Sequence, residues 1–446
     1  MASKDARSVD WQQIKNGTLE VLNNYETGRK SVKSILRSYR SEIQLGDAIH
    51  AKIEYYSIGV IRFLNTIDFY LSKAMKYSDQ QQLSSTKRNL LRMAVYQFCW
   101  ANTPISEIAE HLLKDDNQSL KILKNISLEN IETAVARLPV EESLSIRLSH
   151  PSFLVRALLE NLGEKDTIKL LNANNKESSS YIRPNNLISS VGVIDEINEI
   201  EGVSLEEDQD VQGLYRIQAG LDRIVKSKAF SSNRVLIQDK ASVLAVKVLD
   251  PNPGEFVWDA CGAPGMKTQL IWEIMNRNGK VVATDTNRTR FLAAKKRALA
   301  LGASEVEWRL QDASHAPVEN AQKILIDAPC TSTGKLQSHP SYKWRLNKKT
   351  LFSMMTIQNK ILEGILSAYS KSSGTEIVYA TCSLLPHEGE SQIDSVLQKY
   401  PIELLGIHQV NSPGYPGFTC SGKICRMFPH THQSNGFFIS KFRVVP

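Results

Sequence analysis

The chain has 446 residues, 42% hydrophobic and 23% charged, and its 54 Lys and Arg against 47 Asp and Glu give a net charge of +7. That length exceeds one ordinary core and suggests roughly three domains at about 150 residues each, while the modest basic excess favours a polyanionic partner without deciding for one. No run approaches the ~20 apolar residues of a membrane helix, and the opening MASKDARSVDWQQIKN resembles neither a secretory signal nor an Arg-rich transit peptide, so the cytosol is the expected compartment and no membrane contact is expected.

Residues 1–145 carry long helical patterns with few glycines or prolines and are expected to form an all-helical domain. In SSTKRNLLRMAVYQFCWANTP, Leu90, Leu91, Val95 and Phe98 share a face while Lys87, Arg88 and Arg92 lie off it; Ser84 or Ser85 suits the N-cap, and Pro104 follows the end. Such a domain either packs with a solvated basic face or docks RNA or protein. Residues 146–235 are expected to hold linker helices and a small α/β lobe. SHPSFLVRALLENLG reads as a helix stopped by Gly163, YIRPNNL as a strand, Ile188 to Ile200 as a helix and LYRIQ as a strand. The acidic run Glu206, Glu207, Asp208 and Asp210 reads as a solvated loop rather than a metal site, and the basic residues that follow, Arg216, Arg223, Lys226, Lys228 and Arg234, are better placed to meet phosphate.

Over residues 236–446 the pattern becomes strand, glycine-bearing loop, helix, strand, as in FVWDA, CGAPGMKT, QLIWEIMNR and KVVATD, which predicts a doubly wound α/β domain with ligands at the carboxyl edge of the sheet. The turn Cys261, Gly262, Ala263, Pro264, Gly265, Met266 and Lys267 lets backbone N–H groups approach a ligand, yet it matches neither GxxxxGK[ST] nor GxGxxG. Asp285 ends the next strand and suits a ribose diol; Asp312, in WRLQDAS, suits an adenine amino group. A nucleoside cofactor without phosphate, S-adenosylmethionine, fits that combination.

Six cysteines are scattered through the chain with no CxxC pair, so reduced thiols are expected; a zinc site improvised from Cys420, Cys425, His430 and His432 is the weaker reading, and no metal is expected. Cys330 in DAPCTSTG and Cys382 in YATCSLLPHEGE both stand at strand ends, near Asp327 and Lys267. Either cysteine alone would pass for an inert small hydrophobe; together at one edge they suggest thiol chemistry.

These segments resemble the RsmB/NSUN family of RNA cytosine-5 methyltransferases over most of the chain. CGAPGMKT is similar to the family's CAAPGGKT loop, DAPCTSTG to its DAPCSxTG motif, the TCS within Tyr379 to Ser383 to its TCS motif, and RMFPHTHQSNGFF to its RxxPHxHxxxGFF ending. VLIQDKAS resembles the entry to the catalytic domain, SHPSFLVRALLENLG and YIRPNNL the linker and RNA-binding lobe, and the amino-terminal helices a NusB-type domain. The resemblance implies a Rossmann-like methyltransferase domain preceded by an α/β RNA-binding lobe and a NusB-like domain. It also implies Cys382 as nucleophile on carbon 6 of a cytosine, Asp327 at ring N3, Cys330 in the elimination step, and Lys267 holding Asp327 and lowering the thiol's pKa, with Pro329 stiffening the loop that presents Cys330. It adds Arg290 to the cofactor residues. Small-subunit ribosomal RNA is the expected substrate and the chain is expected to be a monomer. The alternatives are transfer RNA, or a non-catalytic ribosome-assembly factor. RNA contacts are expected from Arg183, Arg234, Lys343 and Arg345, with Trp344 either a stacking surface or a core residue. The chain departs from the family at Met266, where the family has glycine, and at Gly262, where it has alanine; Met266 is expected to narrow the cofactor pocket or change the backbone there, without abolishing binding.

Overall fold

The computed structural model describes residues 10–28, 30–76 and 82–446. The chain divides into two compact units, Met1–Lys176 with Leu336–Leu346, and Glu177–Lys335 with Asn347–Pro446. The first unit is helical. Trp11–Thr27, Val32–Glu42 and Ser85–Cys99 each begin at a residue, Asp10, Ser31 and Ser84, whose side chain accepts from the backbone N–H three residues on. These helices, with Asp47–Arg62, bury Ile14, Val21, Leu22, Ile53, Val60, Leu91 and Val95 in one core. Arg92 is not on a solvated basic face: it is buried, and its guanidinium donates to both oxygens of Asp68 at 2.7 Å and also pairs with Glu26. The final helical stretch, Ser152–Asn174, breaks at Gly163, whose φ of 73° with ψ of 173° no helix accommodates.

The segment 336–346 belongs to this helical unit, and it corrects one expected RNA contact. Lys343 is fully buried; its Nζ donates to Arg62 O at 3.1 Å, Ser149 O at 2.9 Å and Asn175 Oδ1 at 2.6 Å. Burial, with Arg62 as a like charge, pushes its pKa well down, so no phosphate can reach it as a solvated cation. Arg345 lies over the Tyr25 ring and donates to Lys30 O, and Trp344 donates Nε1 to Ile61 O at 2.6 Å, the core alternative for that tryptophan.

The second unit opens with a small antiparallel sheet of order β2-β3-β1-β4, formed by β1 (Ser180–Pro184), β2 (Ser204–Glu207), β3 (Tyr215–Ala219) and β4 (Val235–Ile237). Glu206 and Glu207 therefore lie in a strand and not in a loop, while Asp208 and Asp210 grip Lys240 at 2.8 and 2.6 Å. Arg183 is the second correction. It is buried, donates to Gln238 Oε1 and Glu273 Oε2 at 2.8 Å each and to Gln269, and so fastens β1 onto the helix Met266–Ile274 instead of facing solvent. Arg234 stays partly exposed but is engaged by Glu196, Arg216 by Glu206, and Arg223 by Glu201 O. Lys226 and Lys228 are exposed.

The large sheet has the order β7-β6-β5-β8-β9-β12-β10, with β11 on β12. Its strands are β5 (Phe256–Asp259), β6 (Lys280–Thr284), β7 (Glu307–Arg309), β8 (Lys323–Asp327), β9 (Glu376–Thr381), β10 (Ile402–Leu405), β11 (Cys425–Met427) and β12 (Phe437–Val444). From β7 to β9 the neighbours are parallel, and their runs, such as the buried Ile324, Leu325 and Ile326 of β8, are apolar because both sheet faces are covered. β12 returns antiparallel to β9. The chain winds from β5 toward β6 and β7, then crosses back to β8 and β9, so the carboxyl ends of β5 and β8 open the crevice where such sheets take ligands.

Candidate active site

At that crevice β5 ends in Asp259, and the turn runs through Gly265 into the helix Met266–Ile274. Gly262 N donates to Thr284 O at 2.8 Å and Gly265 N to Gly262 O at 2.7 Å, which folds the turn against the end of β6. A Cβ on Gly262 would stand 3.0 Å from Ala283 Cβ and 3.2 Å from Thr268 Oγ1, so only the smallest side chains fit there. The left-handed residue is Gly265, with φ of 96°, and Met266 already begins the helix. The backbone half of the expected difficulty at Met266 does not arise; its side chain does line the cleft.

That cleft has a volume of about 210 Å³ and brings together Cys261, Gly262, Ala263, Pro264, Met266, Lys267 and Asp327. Asp285 is buried beside it, accepts from Asn287 N at 2.8 Å and pairs with Arg290 at 3.3 Å; Arg290 also donates to Ala263 O at 2.6 Å, tying the end of β6 to the turn. Asp312 is exposed and caps the 3₁₀ turn Ala313–His315. Asp259 and Asp239, which no sequence motif marked, are also walls of the cleft. Asp259 is buried and accepts from Thr268 Oγ1 at 2.6 Å through one oxygen, while Oδ1 has no hydrogen-bond partner, though the Cys261 amide lies near the carboxylate. Burial raises its pKa to about 6. An amino acid ammonium placed in the cleft would complete that carboxylate, and together with the small-residue turn this fits the aminobutyrate end of S-adenosylmethionine.

On the other side, β8 ends in Asp327 and β9 leads into Cys382. Lys267 Nζ donates to Asp327 Oδ2 at 2.7 Å and stands over the Phe437 ring at 5.6 Å. Cys330 and Cys382 face each other, sulfur to sulfur, at 3.3 Å. The hydrogen bond from Cys330 and the charge of Lys335 bring the Cys382 thiol down to about 6 against its burial, and Cys330 moves well up for the reciprocal reason. Lys267 holds the aspartate, and Lys335, which directly follows DAPCTSTG, is a cation that lowers the Cys382 thiol.

Two buried acids in the PHEGE segment hold the cysteine loops. Glu388 is fully buried; it accepts from Thr331 N at 2.9 Å, Gln358 Nε2 at 3.0 Å and Ser383 Oγ at 2.5 Å, joining the residue after Cys330 to the residue after Cys382. Glu390 takes a bidentate pair from Arg426 at 2.6 Å each, both side chains fully buried, and the same guanidinium donates to Ser383 O at 2.9 Å and Leu385 O at 3.3 Å. The PHEGESQ run is polar, so its two acids pass for solvated loop residues until their buried partners are in view. Gly334 donates to Cys382 O at 2.9 Å, and a Cβ on it would sit 1.8 Å from Gly436 O, so the DAPCTSTG and GFF segments meet backbone to backbone. Cys420 and Cys425 are buried, and burial is the main cause raising both thiols; among the described residues no three His, Cys, Asp or Glu side chains gather as a metal site.

The doubly wound sheet, the phosphate-free nucleoside cleft at its switch point and the acids around it define an S-adenosylmethionine-dependent methyltransferase. Residues 246–443 match the family described as 16S rRNA methyltransferase RsmB/F, and residues 12–112 match the NusB family. The chain is 30% identical over 308 residues to the probable ribosomal RNA small subunit methyltransferase B of Synechocystis, covering 68% of each protein. It is 27% identical over 440 residues to the ribosomal RNA small subunit methyltransferase B of Photorhabdus laumondii, covering 96% of this chain and 98% of that one. The solved structure of a methyltransferase homologue protein from Pyrococcus horikoshii superposes with a TM-score of 0.61 at 25% identity, covering 69% of this chain and 99% of that one. This chain belongs to the RsmB/F methyltransferase family, with a NusB-like helical region before its catalytic domain.

Proposed function

We propose that the chain methylates carbon 5 of a cytosine in small-subunit ribosomal RNA, in the cytoplasm, through a transient bond between Cys382 and carbon 6 of the base. The observation that carries this reading is the pair of sulfurs 3.3 Å apart at the ends of neighbouring strands, beside the cleft lined by Asp327 and Lys267. Carbon 5 of cytosine is a poor nucleophile until a thiolate adds at carbon 6. Cys382, whose thiol the Cys330 hydrogen bond and the Lys335 charge lower, is the more readily ionised of the two sulfurs and forms that bond. As the ring electrons shift, the Asp327 carboxylate, paired with Lys267 at 2.7 Å, relays the proton of that ammonium to N3, which leaves electron density at carbon 5. S-adenosylmethionine supplies the methyl group when bound.

Elimination then falls to Cys330. The largest cause holding its proton is the hydrogen bond to the Cys382 thiolate, and that anion disappears once the sulfur is bonded to carbon. Cys330 then becomes the stronger acid and loses its proton to solvent water; the thiolate so formed takes the proton from carbon 5, the ring double bond re-forms, Cys382 leaves as thiolate, and N3 returns its proton to the Asp327–Lys267 pair. The small lobe and its exposed Lys226 and Lys228 are the proposed RNA grip, in place of Arg183 and Lys343. Incubating the protein with S-adenosylmethionine and either small-subunit ribosomal RNA or transfer RNA, followed by bisulfite sequencing, tests the reading. Protected cytosine in the ribosomal RNA is expected; protection confined to transfer RNA, or none, would contradict it.

A further inference from the structure

We propose that Lys335 is the positioning residue for Cys382, the cation that keeps its sulfur a thiolate in the free protein. The inference rests on the reading of Cys382 as nucleophile. The geometry begins with the 3₁₀ turn Thr333–Lys335, which is fixed to the catalytic strand end at three points: Gly334 N donates to Cys382 O at 2.9 Å, Leu384 N donates to Thr333 Oγ1 at 2.8 Å, and Thr333 Oγ1 meets Ser383 Oγ at 3.2 Å. The contact of Gly334 with Gly436 backs the turn from the other side, so it has no room to swing away. Its last residue, Lys335, is half-buried and lines the same cleft as Asp327 and Asp239.

The charged and titratable groups around Cys382 come from several elements. Cys330 and Asp327 face it from β8 and its following loop, Lys335 from the 3₁₀ turn, and Ser332 Oγ lies 3.5 Å from its sulfur. Glu388 stands behind Thr331 and Ser383, Lys267 is spent on Asp327, and Asp239 faces Lys335 across the cleft. Asp327 works against a thiolate; Lys335 is the cation that works for it. The influence is mutual, because Cys382 is the first cause that raises the Lys335 ammonium, followed, beyond the opposing effect of burial, by Asp327, Cys330 and Asp239. A lysine here serves the addition step twice: it stabilises the thiolate before the bond forms, and as the sulfur's charge is consumed it remains near the developing negative charge of the ring.

The test is a pH titration of the thiolate's ultraviolet absorbance in the full chain, taken as the difference from Cys382→Ser, so that no reagent has to reach a buried sulfur. The native protein is expected to titrate near 6. Lys335→Met and Lys335→Gln, compared by circular dichroism to verify folding, are expected to move the midpoint up by about one pH unit, and the acidic limb of methyl transfer with it, about tenfold in rate at a fixed pH below the midpoint. Lys335→Arg is expected to restore both. A midpoint unchanged in both folded neutral variants overturns the inference. If the thiol titration moves while the pH profile of methyl transfer stays in place, the role of Lys335 toward the sulfur stands and the reading of Cys382 as nucleophile falls.

Discussion

The glycine turn and the two cysteine loops share one edge of one sheet, yet they are held by opposite means. The turn from Cys261 to Gly265 is built from small residues and backbone hydrogen bonds to the end of β6, with its partners within a few dozen residues. The cysteine loops are held by charges taken out of water: Glu388 between Thr331 and Ser383, and Arg426 with Glu390 beneath Ser383 and Leu385. A cofactor turn needs room, which small side chains leave; a pair of sulfurs proposed to meet one base needs rigidity, which buried and fully bonded charges impose.

The comparison breaks most visibly on the cysteine side. Arg426→Ala leaves Glu390 as an uncompensated buried charge and is expected to destabilise the catalytic unit by about 3–5 kcal/mol, whereas Arg426→Met with Glu390→Leu recovers most of that loss; thermal melting of the three proteins checks it. Glu388→Ala strips the acceptor from Thr331 N, Gln358 Nε2 and Ser383 Oγ, and is expected to cost about 2–3 kcal/mol and most of the methyl transfer rate, because Cys330 and Cys382 lose their spacing. Activity at native level in folded Glu388→Ala would show that the sulfurs are positioned by something else.

On the cofactor side the expected effects are smaller. Asp259 is a neutral carboxyl below about 6 and a carboxylate above it, and only the carboxylate attracts an ammonium. Calorimetry should therefore find S-adenosylmethionine binding weakening as pH falls through about 6, by up to about tenfold per unit, and Asp259→Asn should flatten that dependence. Smallest of all is Met266→Gly: with the left-handed position at Gly265, the substitution removes one wall of the cleft and is expected to change cofactor affinity by less than about tenfold.

The same contrast explains what could be read from the sequence. Strand, turn and helix around CGAPGMKT are local patterns, and the acids Asp285 and Asp327 stand at strand ends where periodicity puts them. Cys330 and Cys382 were legible for the same reason, each closing an apolar run. What escaped was fixed by distant partners. Nothing near Lys343 announces that Arg62, Ser149 and Asn175 surround its ammonium, and nothing near Arg183 announces Glu273 ninety positions away. Charge alone suggested RNA at both positions; burial decides otherwise. Lys335 was passed over because a lysine after a glycine looks like a solvated loop residue until the turn is pinned to the strand beside it.

Mixing Cys330→Ala with S-adenosylmethionine and small-subunit ribosomal RNA, and running the product on a denaturing gel, asks whether Cys382 bonds the base. Without Cys330 to take the carbon 5 proton, a protein–RNA adduct is expected that survives denaturation and that disappears when Cys382 is also replaced by alanine. An adduct that persists without Cys382, or a Cys382→Ala protein that still methylates cytosine, would contradict it.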